Sequence, residues 1–245
     1  MNSNQHTIGQ YTRENVSDTP LTKDDKAYLF YKKTIPKFIG EAISIYSFKE
    51  NRMLYAHGWE DLLGYKDEEI TMLKIVSCTS PRHFNFSNEL NDKALQFFKT
   101  KTTDLEKYSF TLEIEKIHAN GSVIPLFSRV AILKASNGKI EEMITVSQVI
   151  KSLKHSNVMQ YAVYGPEKSD FEEILNKELF QHLAISKKEK QALYMASKGM
   201  TFKEIAAQLN VSQSAVEKRL IPLYKRFNVK SLPHLISFAH TNHIL

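Results

Sequence analysis

The sequence predicts an α+β protein: an N-terminal antiparallel sheet with helices, followed by an all-α domain of four helices. Three observations carry this reading. Two Asn-Gly pairs, Asn120-Gly121 and Asn137-Gly138, separate β-prone runs between Phe110 and Ile150 at hairpin spacing. From Ser186 onward, apolar residues recur at helical spacing behind repeated capping signals. Charge divides near the same place. Residues 181–245 hold ten Lys or Arg against three Glu, a net +7 in a chain whose total is +6, so the first 180 residues carry −1. By itself this asymmetry fits either a polyanion partner or a solvated basic face.

Composition removes several classes. The chain has 245 residues with 42% apolar content, 14 Phe and 11 Tyr, too much apolar surface to remain unfolded in water. No apolar run approaches the ~18 residues of a membrane span, and the start is polar, so neither a membrane segment nor a secretory signal is expected. The single cysteine, Cys78, forms no internal disulfide, which fits a reducing cytoplasm. The sequence contains no glycine-rich phosphate loop, Cys/His metal spacing or Ser/His/Asp order, so no catalytic or metal residues are expected and the chain is not read as an enzyme.

Along the chain, residues 1–20 are polar and read as a mobile tail. Lys23-Asp24-Asp25 precede Ala27, Phe30, Tyr31 and Ile35, a short helix with acids in its first turn, which Pro36 ends. The acidic pair has no apolar strand before it, which argues against a phosphoacceptor receiver domain. Ala42–Phe48 and Met53–Ala56 form a strand pair across Lys49-Glu50-Asn51. Short helices over Gly58–Val76 are anchored by Trp59, Leu62, Leu63 and Ile70. Phe86, Leu90, Ala94, Phe97 and Phe98 mark a longer helix, an apolar stripe that reads as core face before cavity lining. Strands through Phe110–Ile114, Val123–Leu133 and Ile140–Ile150 make a meander, with a type I′ turn expected at Asn120-Gly121 and a second hairpin turn at Asn137-Gly138. Pro125 belongs near a strand start or on an edge. Residues 153–184 read as a linker, broken at Gly165-Pro166. It carries an amphipathic helix capped by Ser169 and Glu172, with Phe171, Ile174, Leu175 and Leu179 on one face.

The order strand pair, short helices, longer helix, meander resembles a PAS domain over roughly residues 38–152. The stretch from His57 through Trp59, Leu62-Leu63-Gly64-Tyr65 and Glu69-Ile70, and the hairpin Ala119-Asn120-Gly121-Ser122-Val123, carry the likeness. The resemblance implies a domain, over 21–152 with its leading helix, that senses a cue or mediates dimerisation. It does not imply a cofactor. Ser77-Cys78-Thr79-Ser80 differs from a flavin-adduct motif, and His83 and His118 are isolated, so no cofactor is expected and any pocket ligand is unidentified.

In residues 185–245, Ser186 and Glu189 form one capping box and Thr201 and Glu204 a second. Gly199 ends the first helix, Asn210-Val211 make a tight turn, and Ser212 caps the third helix. The second helix buries Ile205, Ala206 and Leu209; the third buries Val216, Leu220, Leu223 and Phe227. The third helix's opposite face shows Gln213, Ser214, Glu217, Lys218, Ile221 and Lys225, as major-groove reading requires.

This segment resembles the LuxR-type helix-turn-helix DNA-binding domain through Ile185-Ser186-Lys187-Lys188-Glu189, Lys203-Glu204-Ile205-Ala206, Val211-Ser212, Ala215-Val216 and Phe227-Asn228-Val229. By that resemblance Lys203 and Ser212 match phosphate-touching positions, and Glu217, Lys218 and Ile221 match groove-facing ones. Gln213, Ser214, Arg219 and Lys225 complete the expected DNA-binding set. Glu217 and Pro222 depart from the family pattern. The implied whole is a cytoplasmic, homodimeric transcriptional regulator of the PAS–LuxR kind, with double-stranded DNA and RNA polymerase as partners and no membrane. The alternative is a protein-interaction adaptor whose helical domain no longer binds DNA.

Overall fold

A computed structural model describes residues 8–150, 160–170, 185–227, 229–241 and 244–245. The chain splits into two compact units, Met1–Leu175 and Asn176–Leu245. The amphipathic helix expected over 171–184 lies outside the described residues.

In the first unit, β1 (Glu41–Ser47), β2 (Arg52–His57), β3 (Ser109–Ile117), β4 (Val123–Ser136), β5 (Lys139–Val149) and β6 (Gln160–Tyr164) form one antiparallel sheet. Its strand order is β2-β1-β5-β4-β3-β6. The expected strand pair and meander are present. β6 lies within the stretch read as linker: Val163, 4% exposed, pairs opposite Phe110 and makes β6 the edge beyond β3. A five-residue strand beside the Gly165-Pro166 breaker is too short to announce itself by alternation.

The two hairpins differ. The hairpin turn expected at Asn137-Gly138 joins Ser136 to Lys139, and both residues take positive φ, 51° and 69°, which is type I′ geometry. At the first hairpin only Gly121 does, at 87°. There a five-residue connection follows the Ile117–Val123 pair, and the Asn120 carboxamide oxygen accepts from the Ser122 N–H at 2.9 Å. The side chain stabilises a wider turn, so the type I′ expectation fails at this position. Pro125 sits near the start of β4, and its carbonyl accepts from Ile150 N at 3.0 Å.

Helices α1 (Gln10–Asn15), α2 (Lys26–Thr34), α3 (Trp59–Leu63), α4 (Met72–Ser77) and α5 (Phe84–Lys99) complete this unit. Residues 9–20, read as part of a mobile tail, are held by the rest of the unit. The Asp92 carboxylate accepts from Tyr11 N, Thr12 N and Thr12 Oγ1 at 3.1, 2.8 and 2.6 Å, and Thr12 and Val16 are buried. Asp25 caps α2 by accepting from Ala27 N at 2.7 Å. The acids therefore precede the helix and do not fill its first turn. Tyr28 and Tyr31 of α2 and its C-cap Ile35 pack on Ile43, Ile45, Leu54 and Tyr55. The single Trp, Trp59, is 1% exposed and donates its indole N–H to the Ile43 carbonyl at 3.1 Å. The Phe97 and Phe98 rings meet Tyr108 edge-on in the core, as expected of a core face. A cavity of 40 Å³ remains, bounded by Thr12, Val16, Ala94, Phe98, Phe110 and Met143.

In the second unit the described residues form α6 (Lys187–Ser197), α7 (Phe202–Gln208), α8 (Gln213–Arg226) and α9 (Leu232–Thr241). Leu193, Ile205, Val216, Leu220, Leu223, Leu235 and Ala239 are fully buried, and Phe227 stacks on Phe238 at 5.0 Å. Leu209, expected in the core, is half-buried because α7 stops before it. Among the described residues no helix is long and apolar enough to cross a membrane.

Candidate nucleic-acid interface

Three local signals set the geometry of the helical unit. Ser186 and Glu189 close a reciprocal capping box on α6, and Thr201 and Glu204 close another on α7. Ser212 Oγ accepts from Ala215 N at 3.2 Å and starts α8. Between α7 and α8, Asn210 takes φ 51° while Asn210 N and Val211 N bond back to Ala207 O and Ala206 O at 3.3 and 3.0 Å. This is a Schellman end with Asn at the left-handed position, and it turns the chain sharply enough for α8 to follow at once.

α8 buries Val216, Leu220 and Leu223, so its opposite side faces solvent. Gln213, Ser214, Lys218, Ile221 and Lys225 are exposed on that side, with Ile221 50% exposed and Glu217 half-buried at its border. Ser212 and Lys203 are exposed near the start of α8 and on α7. The first N–H groups of α8 point out of the same end, a favourable place for an anionic phosphate. Arg219 is half-buried. At ~100° per residue it sits on the far flank, roughly 145° from the middle of the exposed face, so it is not part of the cluster that the other residues form.

Sequence reading missed two contacts here. Gln213 Nε2 donates to Glu217 Oε1 at 2.9 Å, one helical turn apart. Glu217 makes no ion pair among the described residues, and its carboxylate is held by this neutral amide. The i, i+4 spacing was the available signal. Second, Arg226 forms an ion pair with Glu189 at 3.3 Å and ties the end of α8 to the start of α6. That pairs one basic residue of the C-terminal quarter with an acid of the same unit. Pro222 lies inside α8 and the helix continues through it. With no N–H, Pro222 leaves the Lys218 carbonyl without its ordinary intrahelical donor, on the exposed side.

Burial pushes the Glu189 carboxyl up, but the Ser186 N–H and hydroxyl and the Arg226 guanidinium outweigh it and hold it below the ordinary glutamate value. The folded value lies below the unfolded one. The resulting stabilisation is therefore complete above the ordinary glutamate range and is lost as pH falls through the lowered value. Glu189→Gln is expected to flatten the acid limb of helix loss. A circular-dichroism acid titration of the full chain against wild type checks this, and superimposable curves would refute it.

The histidines considered as cofactor ligands have local roles. His83 Nδ1 accepts from Glu115 N and His118 Nδ1 from Asn120 N, both at 3.1 Å. Among the described residues no group of three or more His, Cys, Asp or Glu could hold a metal ion.

Residues 183–239 match the family model of the bacterial regulatory proteins of the luxR family. No curated protein matches the chain. Among solved structures, the chain is similar to the Vibrio cholerae VqmA dimer solved without target DNA, at 16% identity over 87% of this chain and 86% of that one, TM-score 0.35. It is similar to the VqmA–ligand–DNA complex at 15% identity over 87% and 86%, TM-score 0.32. A PAS domain of a Colwellia psychrerythraea protein is similar at 15% identity over 50% of this chain and 96% of that one, TM-score 0.38.

Proposed function

The C-terminal unit is a LuxR-type domain of the bacterial regulatory proteins, and from that premise we propose that this protein is a sequence-specific transcriptional regulator that reads double-stranded DNA with α8. The observation that carries the reading is the exposed face of α8, where Gln213, Ser214, Lys218, Ile221 and Lys225 stand clear of the core and Lys203 and Ser212 flank the helix start. Lysines and the open N-terminus of α8 hold phosphates; the shorter polar side chains of the first two turns reach base edges. One short helix reads few base pairs, so two copies on half-sites about one helical turn apart supply the rest. The N-terminal unit is the proposed seat of dimerisation or of a cue, with Leu29 and Phe30 of α2 about half exposed and available to a second copy. Selection of bound sites by the full chain from a genomic fragment library tests the function. Recovery of no common sequence would refute it.

Glu217 governs discrimination more than affinity. Its carboxylate repels phosphates, yet it accepts from a cytosine N4 amino group in the major groove. Glu217→Ala is expected to strengthen non-specific binding while losing about 1–3 kcal/mol of preference at one base pair. Titrations on the selected site and its single-base variants check this. A mutant that keeps the wild-type ranking of those variants shows that Glu217 reads no base.

A further inference from the structure

Within the N-terminal unit, Lys116 of β3 is 5% exposed and makes no ion pair among the described residues. Its Nζ donates to Thr79 Oγ1 at 2.8 Å and to the Ile75 carbonyl. An ammonium brings three N–H donors and a neutral amine two. The two acceptors facing Nζ match the neutral form, whose lone pair is then free. Burial favours that form as well and, outweighing the opposing influence of Cys78, holds the amine below the ordinary lysine value.

The Cys78 thiol donates to the same Ile75 carbonyl at 3.2 Å. The chain's one thiol and a buried amine therefore converge on a single oxygen atom. The backbone fixes that meeting: Thr79 and Lys116 form a β-bridge, Ile117 N donates to Cys78 O at 2.6 Å, and Ser80 N donates to Glu115 O at 2.9 Å. Neither side chain has any part in the DNA-reading face.

We propose that Cys78 and Lys116 are a peroxide-responsive pair that closes into a reversible sulfenamide, covalently tying the end of α4 to β3. The Lys116 amine takes the thiol proton, and the thiolate sulfur attacks one oxygen of hydrogen peroxide. The O–O bond breaks, and the departing hydroxide takes the proton back from Lys116 as water. The product is a sulfenic acid beside a regenerated amine. The amine then attacks the sulfenic sulfur; an S–N bond forms, the S–O bond breaks, and the hydroxyl leaves with an amine proton as a second water. Sulfur gives up two electrons and peroxide receives them. A thiol reductant reverses the link by cleaving the S–N bond.

The full chain treated with hydrogen peroxide, alkylated, digested and analysed by mass spectrometry is the test. The expected product is the Cys78 peptide joined to the Lys116 peptide, two hydrogens lighter than their sum and released by dithiothreitol. Lys116→Met and Lys116→Arg are each expected to abolish the linked species and divert Cys78 to sulfinic acid, with a several-fold drop in thiol recovered by reductant. Dimedone traps sulfenic acids and is expected to suppress the link in the wild-type chain, a readout that needs no variant to fold. The proposal is overturned if wild-type Cys78 stays reduced, goes only to sulfinic acid, or pairs with a second chain as a disulfide. A linked yield unaffected by dimedone also overturns it.

Discussion

The full-length protein on its selected site loses about 10³-fold or more in affinity when salt rises from about 50 to 200 mM. Lys203, Lys218 and Lys225 are exposed in each copy, and the α8 N-terminus offers a further phosphate position. The proposed dimer would thereby engage roughly six to eight phosphates, and each neutralised phosphate releases condensed counterion, so log K would fall almost in proportion to their number. Arg219 and Arg226 contribute little to this slope, the first because it leaves the exposed face and the second because Glu189 holds it. Lys218→Ala lowers the slope by about one per copy, whereas Arg226→Ala leaves it near wild type. Fluorescence-anisotropy titrations at four or five salt concentrations measure both. An affinity independent of salt would leave the basic quarter without an electrostatic role and favour the adaptor reading.

Leu220→Ala removes DNA binding at 37 °C while the N-terminal unit stays folded. Leu220 is fully buried in the middle of α8 between Val216 and Leu223. Truncating a buried leucine costs about 2–5 kcal/mol through lost transfer energy and the cavity left behind. A helical unit of this size holds a small core and has little stability to spare. The two units can be followed separately because Trp59, the single Trp of the chain, lies in the first. Thermal melts are expected to show an early loss of helical ellipticity with an unshifted Trp59 fluorescence transition. If both transitions move together, the units unfold as one cooperative body.

What could be read from the sequence was local. Ser186, Thr201 and Ser212 announced helix starts because a cap and its partner lie within three residues, and all three caps are present. The buried face of α8 followed from its spacing. The packing of α1 was hidden, because the group that satisfies Tyr11 and Thr12 is Asp92, about eighty residues away. Polar residues looked unanchored only while their partner was unknown. β6 was missed for a related reason: its pairing with β3 is long-range and its five residues carry little periodicity. In the candidate interface, the face was legible but the use of its charges was not. Whether Arg226 points outward or bonds Glu189, and whether Glu217 is held by Gln213 or by a lysine, depends on side-chain geometry that spacing leaves open.

The 40 Å³ space bounded by Thr12, Val16 and Phe98 holds about one water molecule and excludes an organic ligand. A small molecule entering there would need an expanded state, and releasing the Asp92 hold on α1, which carries the lining residue Thr12, is one way to reach it. Its apparent affinity is its intrinsic affinity multiplied by the population of that state. If the expanded state makes up about 1% of molecules, a ligand with nanomolar intrinsic affinity responds only at about a hundred times that concentration. Where the Asp92 bonds are what holds the space closed, weakening them would shift the dose–response curve of such a ligand to lower concentration without touching the ligand.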